Sequence, residues 1–426
     1  MIIVAFGAGI IINIFSAFYD LGSLAMHVVT IGCGVAGTTA AMTIRERSPD
    51  TEISIYTDES HFYYPRPRLY EVILGEKEPQ EIYSFAKQWY EDKRIRVYLN
   101  KKVVEIETAH KELLLQDGSR INYDKLLLAN GAHPFLPPMK GIEKMGVFTL
   151  RTVVDALAIR EYAEKAKNAI VVGGGFLGLE SAASLKEVGK QVVDISPRLL
   201  PTQLDQDGAT ILKDQLETFG ISFVLGVKPK EILGKDAVSA VSLEDGRELS
   251  GDLVLIAAGV RPNTELAAKA GIKVNRGVII DQYMQTSVGD VYAAGDIVEF
   301  EGKTYGIIPP AVEQARTAGM NILENEKRAY NGTIPSTTLK IVGISLTSIG
   351  LVNPEGPNYE EIKKIKKEEG VYKKIVLEHG KIVGVIVLGE RGDSSALKRL
   401  IDQEADVTKY KGQILENNFD YRKILS

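Results

Sequence analysis

Short apolar runs and longer mixed segments alternate along most of the chain. VVTI (28–31) is apolar and partly β-branched, which is the pattern of a strand buried on both faces. A helical segment, TTAAMTIRER (38–47), follows with its Ala and Met positions facing inward, and EISIYTDES (52–60) then predicts a second buried strand. Further on, AIVV (169–172) predicts a strand, a helix is predicted from Phe176, and VVDISP (192–197) predicts the next strand. Two Asp-Gly pairs, Asp117-Gly118 and Asp245-Gly246, sit between apolar runs and predict hairpins. Each hairpin precedes a further apolar run, YDKLLLANG (123–131) and GDLVLIAAG (251–259). Both halves therefore share one order: strand, loop, helix, strand, hairpin, strand. The final stretch differs. STTLKIVGISLTSIG (336–350) and VYKKIVLEHGKIVGVIVLGE (371–390) predict three or more strands, and SSALKRLIDQEA (394–405) predicts a helix after them.

The two loops of the repeat carry the same glycine spacing. The first, TIGCGVAGTT, holds Gly32, Gly34 and Gly37, and the second, GGGFLGLE, holds Gly173, Gly175 and Gly178. A G-x-G-x-x-G between a strand and a helix is the dinucleotide fingerprint. The first glycine allows the tight turn, the second lets a pyrophosphate approach the backbone, and the third lets the helix pack on the strand. The helix N-terminus then faces the phosphates with Val35 and Ala36 in the first loop and Phe176 and Leu177 in the second. An acid at the end of the second strand takes the ribose hydroxyls. Asp58 is the expected ligand in the first unit with Glu59 close behind, and Asp194 is the expected ligand in the second. A carboxylate at Asp194 favours NADH over NADPH, although Arg198 lies near enough to accept a phosphate. Two such units imply two dinucleotides held face to face, a flavin and a nicotinamide nucleotide.

Composition narrows the chemistry. The net charge of −5 argues against nucleic acid as a partner. The chain has one cysteine, Cys33, so it has no intramolecular disulfide and no site built on two thiolates. Its five histidines are scattered without ligand spacing, and no metal is expected. A cytoplasmic location is expected from the cysteine count. The first 19 residues carry no charge. They lack the positive region of a signal peptide and are short for a membrane span, so we expect a start mis-assigned ahead of Met26, with a weak anchor as the alternative.

The motifs from Met26 to about Gly350 resemble the FAD-dependent pyridine-nucleotide oxidoreductases of glutathione-reductase fold. Besides the glycine loops they include LLLANGAHP, AAGVRPNTEL, TSVGDVYAAGDIVEF and PPAVEQARTAG. YYPRPRLYE, GGGFLGLE, PRLLPTQLD and LKIVGISLTSIG are most similar to NADH:rubredoxin oxidoreductases and the flavin domain of nitrite reductases. The implied fold is α/β: two Rossmann-like dinucleotide-binding domains, for FAD and NAD, plus a C-terminal α+β domain. The implied boundaries are 1–25 for the apolar extension, 26–145 and 259–334 for the FAD domain, 146–258 for the NAD(P)H domain and 335–426 for the C-terminal module.

The resemblance also implies roles. FAD is bound non-covalently, with Asp296 on its ribityl chain and Gly295 beside it. Arg66 and Arg68 lie near the flavin or its pyrophosphate. Ala129, Asn130 and Gly131 line the FAD side of the crossover, where relatives carry Ala-Thr-Gly. Val104, Gly259 and Ala311 complete the cofactor lining. Phe176 is an aromatic gate over the flavin, and Glu180 lies near the nicotinamide and the flavin. Many relatives carry Ser-Lys after Arg-Pro-x-Leu, whereas this chain has Tyr70 and Glu71.

No cysteine follows the second strand, so a thiol relay is excluded and electrons must leave the flavin outward. A small acidic carrier, rubredoxin or ferredoxin, is the expected acceptor for a monomer or homodimer. A peroxide-forming NADH oxidase, a membrane NADH:quinone reductase and a flavin/NADH-sensing protein are the alternatives. The run EEIKKIKKEEGVYKK (360–374) offers lysines for docking an acidic carrier. A solvated hairpin is the favoured reading of these particular lysines.

Overall fold

A computed structural model describes residues 25–324, 327–341, 343–390 and 393–425. The apolar extension expected at the N-terminus lies outside them.

Each glycine loop opens a five-stranded parallel sheet. In the first, the central strand His27–Ile31 pairs with Glu52–Tyr56 on one side and Lys125–Leu128 on the other. The strands Ile95–Tyr98 and Val291–Ala293 complete its edges. In the second, Asn168–Val172 pairs with Gly189–Asp194 and Leu253–Ile256, and Ile221–Leu225 and Val147–Thr149 form the edges. The spatial order is the same in both. What differs is the source of one edge strand. In the first unit it comes from beyond the second unit, at 291–293, and in the second it precedes the unit, at 147–149. The second unit is thus inserted before the first has closed its sheet. Continuous apolar strands suit this arrangement, because helices cover both faces of a parallel sheet.

The chain leaves the first unit and returns to it along one seam. Ala132–Pro134 runs antiparallel to Val260–Pro262. Beside them the Asn130 side-chain amide donates to the Asn263 carbonyl at 3.1 Å, and the Asn263 amide donates to the Asn130 carbonyl at 2.6 Å. Both Asp-Gly hairpins form, closing small antiparallel sheets at 112–122 and 240–250.

The last module is a five-stranded antiparallel sheet in the spatial order 336–341, 344–350, 381–388, 371–378 and 359–366. One face joins the core of the second unit: Ile341, Leu346, Tyr372, Ile386 and Leu388 pack in one cluster with Leu204, Leu212 and Leu216. The other face is covered by Leu397, Leu400 and Ile401 of the helix Ser394–Asp402. That helix begins where the Asp393 carboxylate accepts the Ala396 amide at 2.9 Å, which satisfies one orphan donor of its first turn.

Candidate functional site

The loop glycines act through close packing. A Cβ on Gly32 would overlap the Ala129 carbonyl, and one on Gly37 would overlap the carbonyl of Gly32. Gly173 and Gly178 meet Ala257 and Gly173 in the same way. Gly32 and Gly173 also have φ of +106° and +123°, which side chains rarely adopt. Gly34 and Gly175 are different: a Cβ there meets nothing within 4 Å. Each therefore leaves open space at the N-terminus of the following helix, Val35–Arg47 in one case and Phe176–Ser184 in the other. These are the positions where a phosphate would approach the backbone.

A trench of about 1500 Å³ runs from the first loop to the start of the second helix. Gly32, Gly34, Val35 and Ala36 line one end, with Asp58, Glu59 and Val104 near them. Ala129, Asn130, Gly131, Gly295 and Asp296 line the middle, and Phe176, Leu177 and Glu180 line the far end. Gly37, Gly173, Gly175, Gly178, Asp194, Gly259 and Ala311 lie outside the trench lining. Ala311 is buried on the helix Ile308–Ile322, beneath Gly295.

Several side chains already have partners. Glu59 is held by Arg66 through both carboxylate oxygens, and the Tyr64 hydroxyl donates to it at 2.5 Å. Burial raises the Glu59 pKa, but the Arg66 bonds outweigh it and hold the carboxyl below its usual range. The exposed Asp58 has no such partner among the described residues. Arg66 also donates to the Arg151 carbonyl at 2.8 Å. Arg68 departs from expectation. Its guanidinium grips Glu71 in a two-point pair at 2.7 and 2.8 Å and lines a separate, smaller cavity instead of the trench. Glu71 stands two places after Leu69, at the position where relatives carry lysine, and this acid draws Arg68 away.

Arg151 went unnoticed in the sequence. Its Nη2 donates to Asp296 at 2.8 Å, and its Nε is buried without a partner among the described residues. The Asn130 side-chain oxygen is buried and unpartnered as well. Orphaned polar atoms along a trench between a glycine loop and a carboxylate suit a bound dinucleotide, since buried polar groups are normally satisfied. The residues present therefore fit FAD.

In the second unit the Asp194 carboxylate accepts from the Gly174 amide and, at 2.6 Å, from the Ser196 amide. Arg198 Nη2 donates to the Pro201 carbonyl at 3.2 Å, within its own loop. Cys33 is 7% exposed, beneath Tyr90 and Thr38. Burial pushes its pKa to about 11, so the thiol stays protonated and is a poor nucleophile. Glu180 is 7% exposed, and no donor or cation bonds its carboxyl among the described residues. Burial alone raises its pKa to about 8. Among the described residues there is no cluster of three or more His, Cys, Asp or Glu that could hold a metal. No helix among them is long and apolar enough to cross a membrane.

Residues 26–321 match the pyridine nucleotide-disulphide oxidoreductase family. The chain belongs to that family. Residues 335–405 match the rubredoxin NAD+ reductase C-terminal domain. The chain is 36% identical over 387 residues to a nitrite reductase [NAD(P)H] of Bacillus subtilis, covering 90% of this chain and 48% of that protein. It thus spans about half the length of such curated relatives. It is 31% identical over 378 residues to the NADH-rubredoxin oxidoreductase of Clostridium acetobutylicum, covering 88% of this chain and 94% of that one. The fold matches the crystal structure of a ferredoxin reductase from Rhodopseudomonas palustris with a TM-score of 0.85 and 27% identity, over 94% of this chain and all of that one. Like its family, the chain is an FAD-dependent NAD(P)H oxidoreductase with two Rossmann-like domains and a C-terminal antiparallel sheet.

The lysine-rich run is a hairpin whose first strand, Tyr359–Lys366, is the sheet edge. Its cations are not free. Lys363, Lys364, Lys366, Lys367, Lys373 and Lys374 each meet a carboxylate within 4 Å.

Proposed function

We propose that this chain takes hydride from NADH onto FAD and passes electrons, one at a time, to a small acidic iron–sulfur carrier of the rubredoxin or ferredoxin type. The observation that carries the reading is the trench without a reactive thiol. The sole cysteine is buried, protonated and packed under Tyr90, so no thiol relay operates. Bound FAD supplies the two-electron acceptor and divides the pair between one-electron carriers.

The chain's own residues bind and orient. Gly32, Gly34, Val35, Ala36 and Gly37 hold the FAD pyrophosphate at a helix N-terminus. Asp58 takes the ribose, because Glu59 is spent on Arg66. Arg151 and Asp296 hold the ribityl region as a pair. Phe176 gates the face where nicotinamide stacks, and Glu180 stands beside it. Asp194 favours the ribose hydroxyls of NADH over a 2′-phosphate, and Arg198, turned onto Pro201, offers a phosphate little. The paired lysines of 360–374 do not form the carrier's dock. The protein acts as a monomer or homodimer in the cytoplasm, with 26–145 and 259–334 forming the FAD domain, 146–258 the NADH domain and 335–426 the C-terminal module.

The test is anaerobic. NADH bleaches the flavin, and the reduced protein is mixed with oxidised rubredoxin, a quinone or air. Rapid return of flavin absorbance with rubredoxin is expected. Return only with quinone or only with air would replace the carrier with a quinone or with oxygen. Failure of NADH to bleach the flavin would remove the nicotinamide role of the second loop.

A further inference from the structure

Behind the trench lies a second cavity of about 400 Å³, lined by Arg68, Tyr70, Glu71, Thr338, Lys340 and Ser345 among others. It sits where the helix Leu69–Ile73, the helix Phe176–Ser184 and the C-terminal strands meet. Glu180 lines both cavities. Pro67 and Thr338 are the other residues common to the two; the first carries no proton, and the second is a hydroxyl that does not titrate near neutral pH. The Glu180 carboxyl is therefore the one titratable group that borders the flavin end of the trench and the polar space behind it. Its isolation is unusual, because buried carboxyls are normally paired or hydrogen-bonded.

The electron balance creates a need for such a group. NADH and two oxidised carriers yield NAD+, two reduced carriers and one proton. Hydride carries two electrons and one proton, whereas the carriers accept electrons only. One proton per NADH must leave the trench. We propose that Glu180 moves this proton, giving its own to the polar cavity behind it and taking its replacement from the flavin end of the trench. The inference rests on the one-electron carrier reading above.

The surroundings suit the task. From the Leu69–Ile73 side Glu180 faces Tyr70 and Glu71, with Arg68 held by Glu71. From the C-terminal sheet it faces Lys340 and Glu390, the latter paired with Lys373 at 2.8 Å. From the trench side Arg66 is spent on Glu59. Arg66 and Arg68 are committed and Lys340 is exposed to solvent, so burial keeps the Glu180 carboxyl neutral at rest, with a proton to give. Ser345 and Thr347 supply hydroxyls in the rear cavity, and the Thr338 hydroxyl borders both spaces.

The test compares wild type with Glu180→Gln, which keeps the shape and removes the titration. In lightly buffered solution with an indicator dye, NADH-reduced protein is mixed with oxidised rubredoxin. In wild type, proton release keeps pace with reoxidation. In Glu180→Gln both slow by ~10- to ~100-fold relative to bleaching by NADH in the same variant. Proton release at the wild-type rate in the variant would overturn the relay and leave the carrier reading intact. Failure of wild type to be bleached by NADH, or reoxidised by rubredoxin, would instead overturn the carrier reading. A second readout needs no turnover. The oxidised-minus-reduced infrared spectrum of wild type at pH 7 should show a perturbed neutral carboxylic acid carbonyl band that Glu180→Gln lacks. A wild-type spectrum without that band would also overturn the relay.

Discussion

Gly34 separates folding from cofactor binding. Its φ of −85° and ψ of −167° are ordinary for any residue, and a Cβ there meets nothing within 4 Å. Gly34→Ala therefore costs the apo fold nothing, and reduced freedom of the unfolded chain gains about 0.4–1 kcal/mol. The bound state is another matter. The added methyl stands in the space through which a pyrophosphate reaches the amides of Val35, Ala36 and Gly37, which lack helical acceptors. Holding the phosphate off removes one or two charge-assisted bonds, about 2–3 kcal/mol, and raises the Kd for FAD by ~30- to ~150-fold. Gly37→Ala should behave in the opposite order. Its methyl overlaps the Gly32 carbonyl, a backbone atom that cannot turn aside, so the apo fold itself loses about 3 kcal/mol. Apo-protein melting and FAD titration by fluorescence quenching read the two effects separately. A Gly34→Ala protein that binds FAD with the wild-type Kd would refute the pyrophosphate role of this loop.

Lys374 is 1% exposed between Asp205 and Glu361. Lys374→Ala should destabilise the protein to urea by about 3 kcal/mol, because it leaves buried charge behind while Tyr372 and Lys363 still hold Asp205; a loss below ~1 kcal/mol would show the pair to be idle. Glu180 has a folded pKa of about 8, raised by burial above that of the unfolded chain. The folded state then holds the extra proton between about pH 4.5 and 8, and the apo protein should lose stability as pH rises through that window. Glu180→Gln should flatten the loss, and equal melting curves at pH 5 and pH 9 in wild type would contradict it. Tyr70 lines the same small cavity. Tyr70→Lys should place a cation beside Glu180, lower its pKa and weaken the neutral carbonyl band at pH 7 to about half or less, and a band of undiminished size would show that the two groups do not meet.

The repeat was legible because its signals are local. A glycine triplet, an apolar run and an Asp-Gly turn each fit within a dozen positions, and the sheets follow from them. The order of loops predicted two dinucleotide units, and both sheets have the expected strands around Gly32 and Gly173. Long-range pairs were not legible in the same way. Arg151 finds Asp296 across 145 positions, and Asn130 finds Asn263 across 133. Arg151 stands two places after the short edge strand Val147–Thr149, but nothing in the sequence sets it against the trench. Arg68 shows the opposite limit. Glu71 three places on offers it a one-turn partner, and that local pair outcompetes the flavin position implied by the resemblance.

The lysine run shows how charge counting along a sequence misleads. Read in one dimension, 360–374 is a basic patch. In three dimensions the edge strand places Lys363 against Asp205 and Asp207, at the N-terminus of the helix Gln206–Thr218 of the second unit. Lys374 on the neighbouring strand reaches the same Asp205. Asp205 also caps that helix by accepting the Gly208 amide at 3.1 Å. The loop just before it, 197–205, is held from the same module, since Ser348 donates to the Gln203 carbonyl and Asn353 to those of Pro201 and Leu204. Lys363, Lys367 and Lys374 are therefore spent fastening the C-terminal sheet to the nucleotide unit, while Lys364, Lys366 and Lys373 pair with acids of their own module. The loop they fasten includes Arg198. Loosening the clamp should thus be felt in nucleotide affinity.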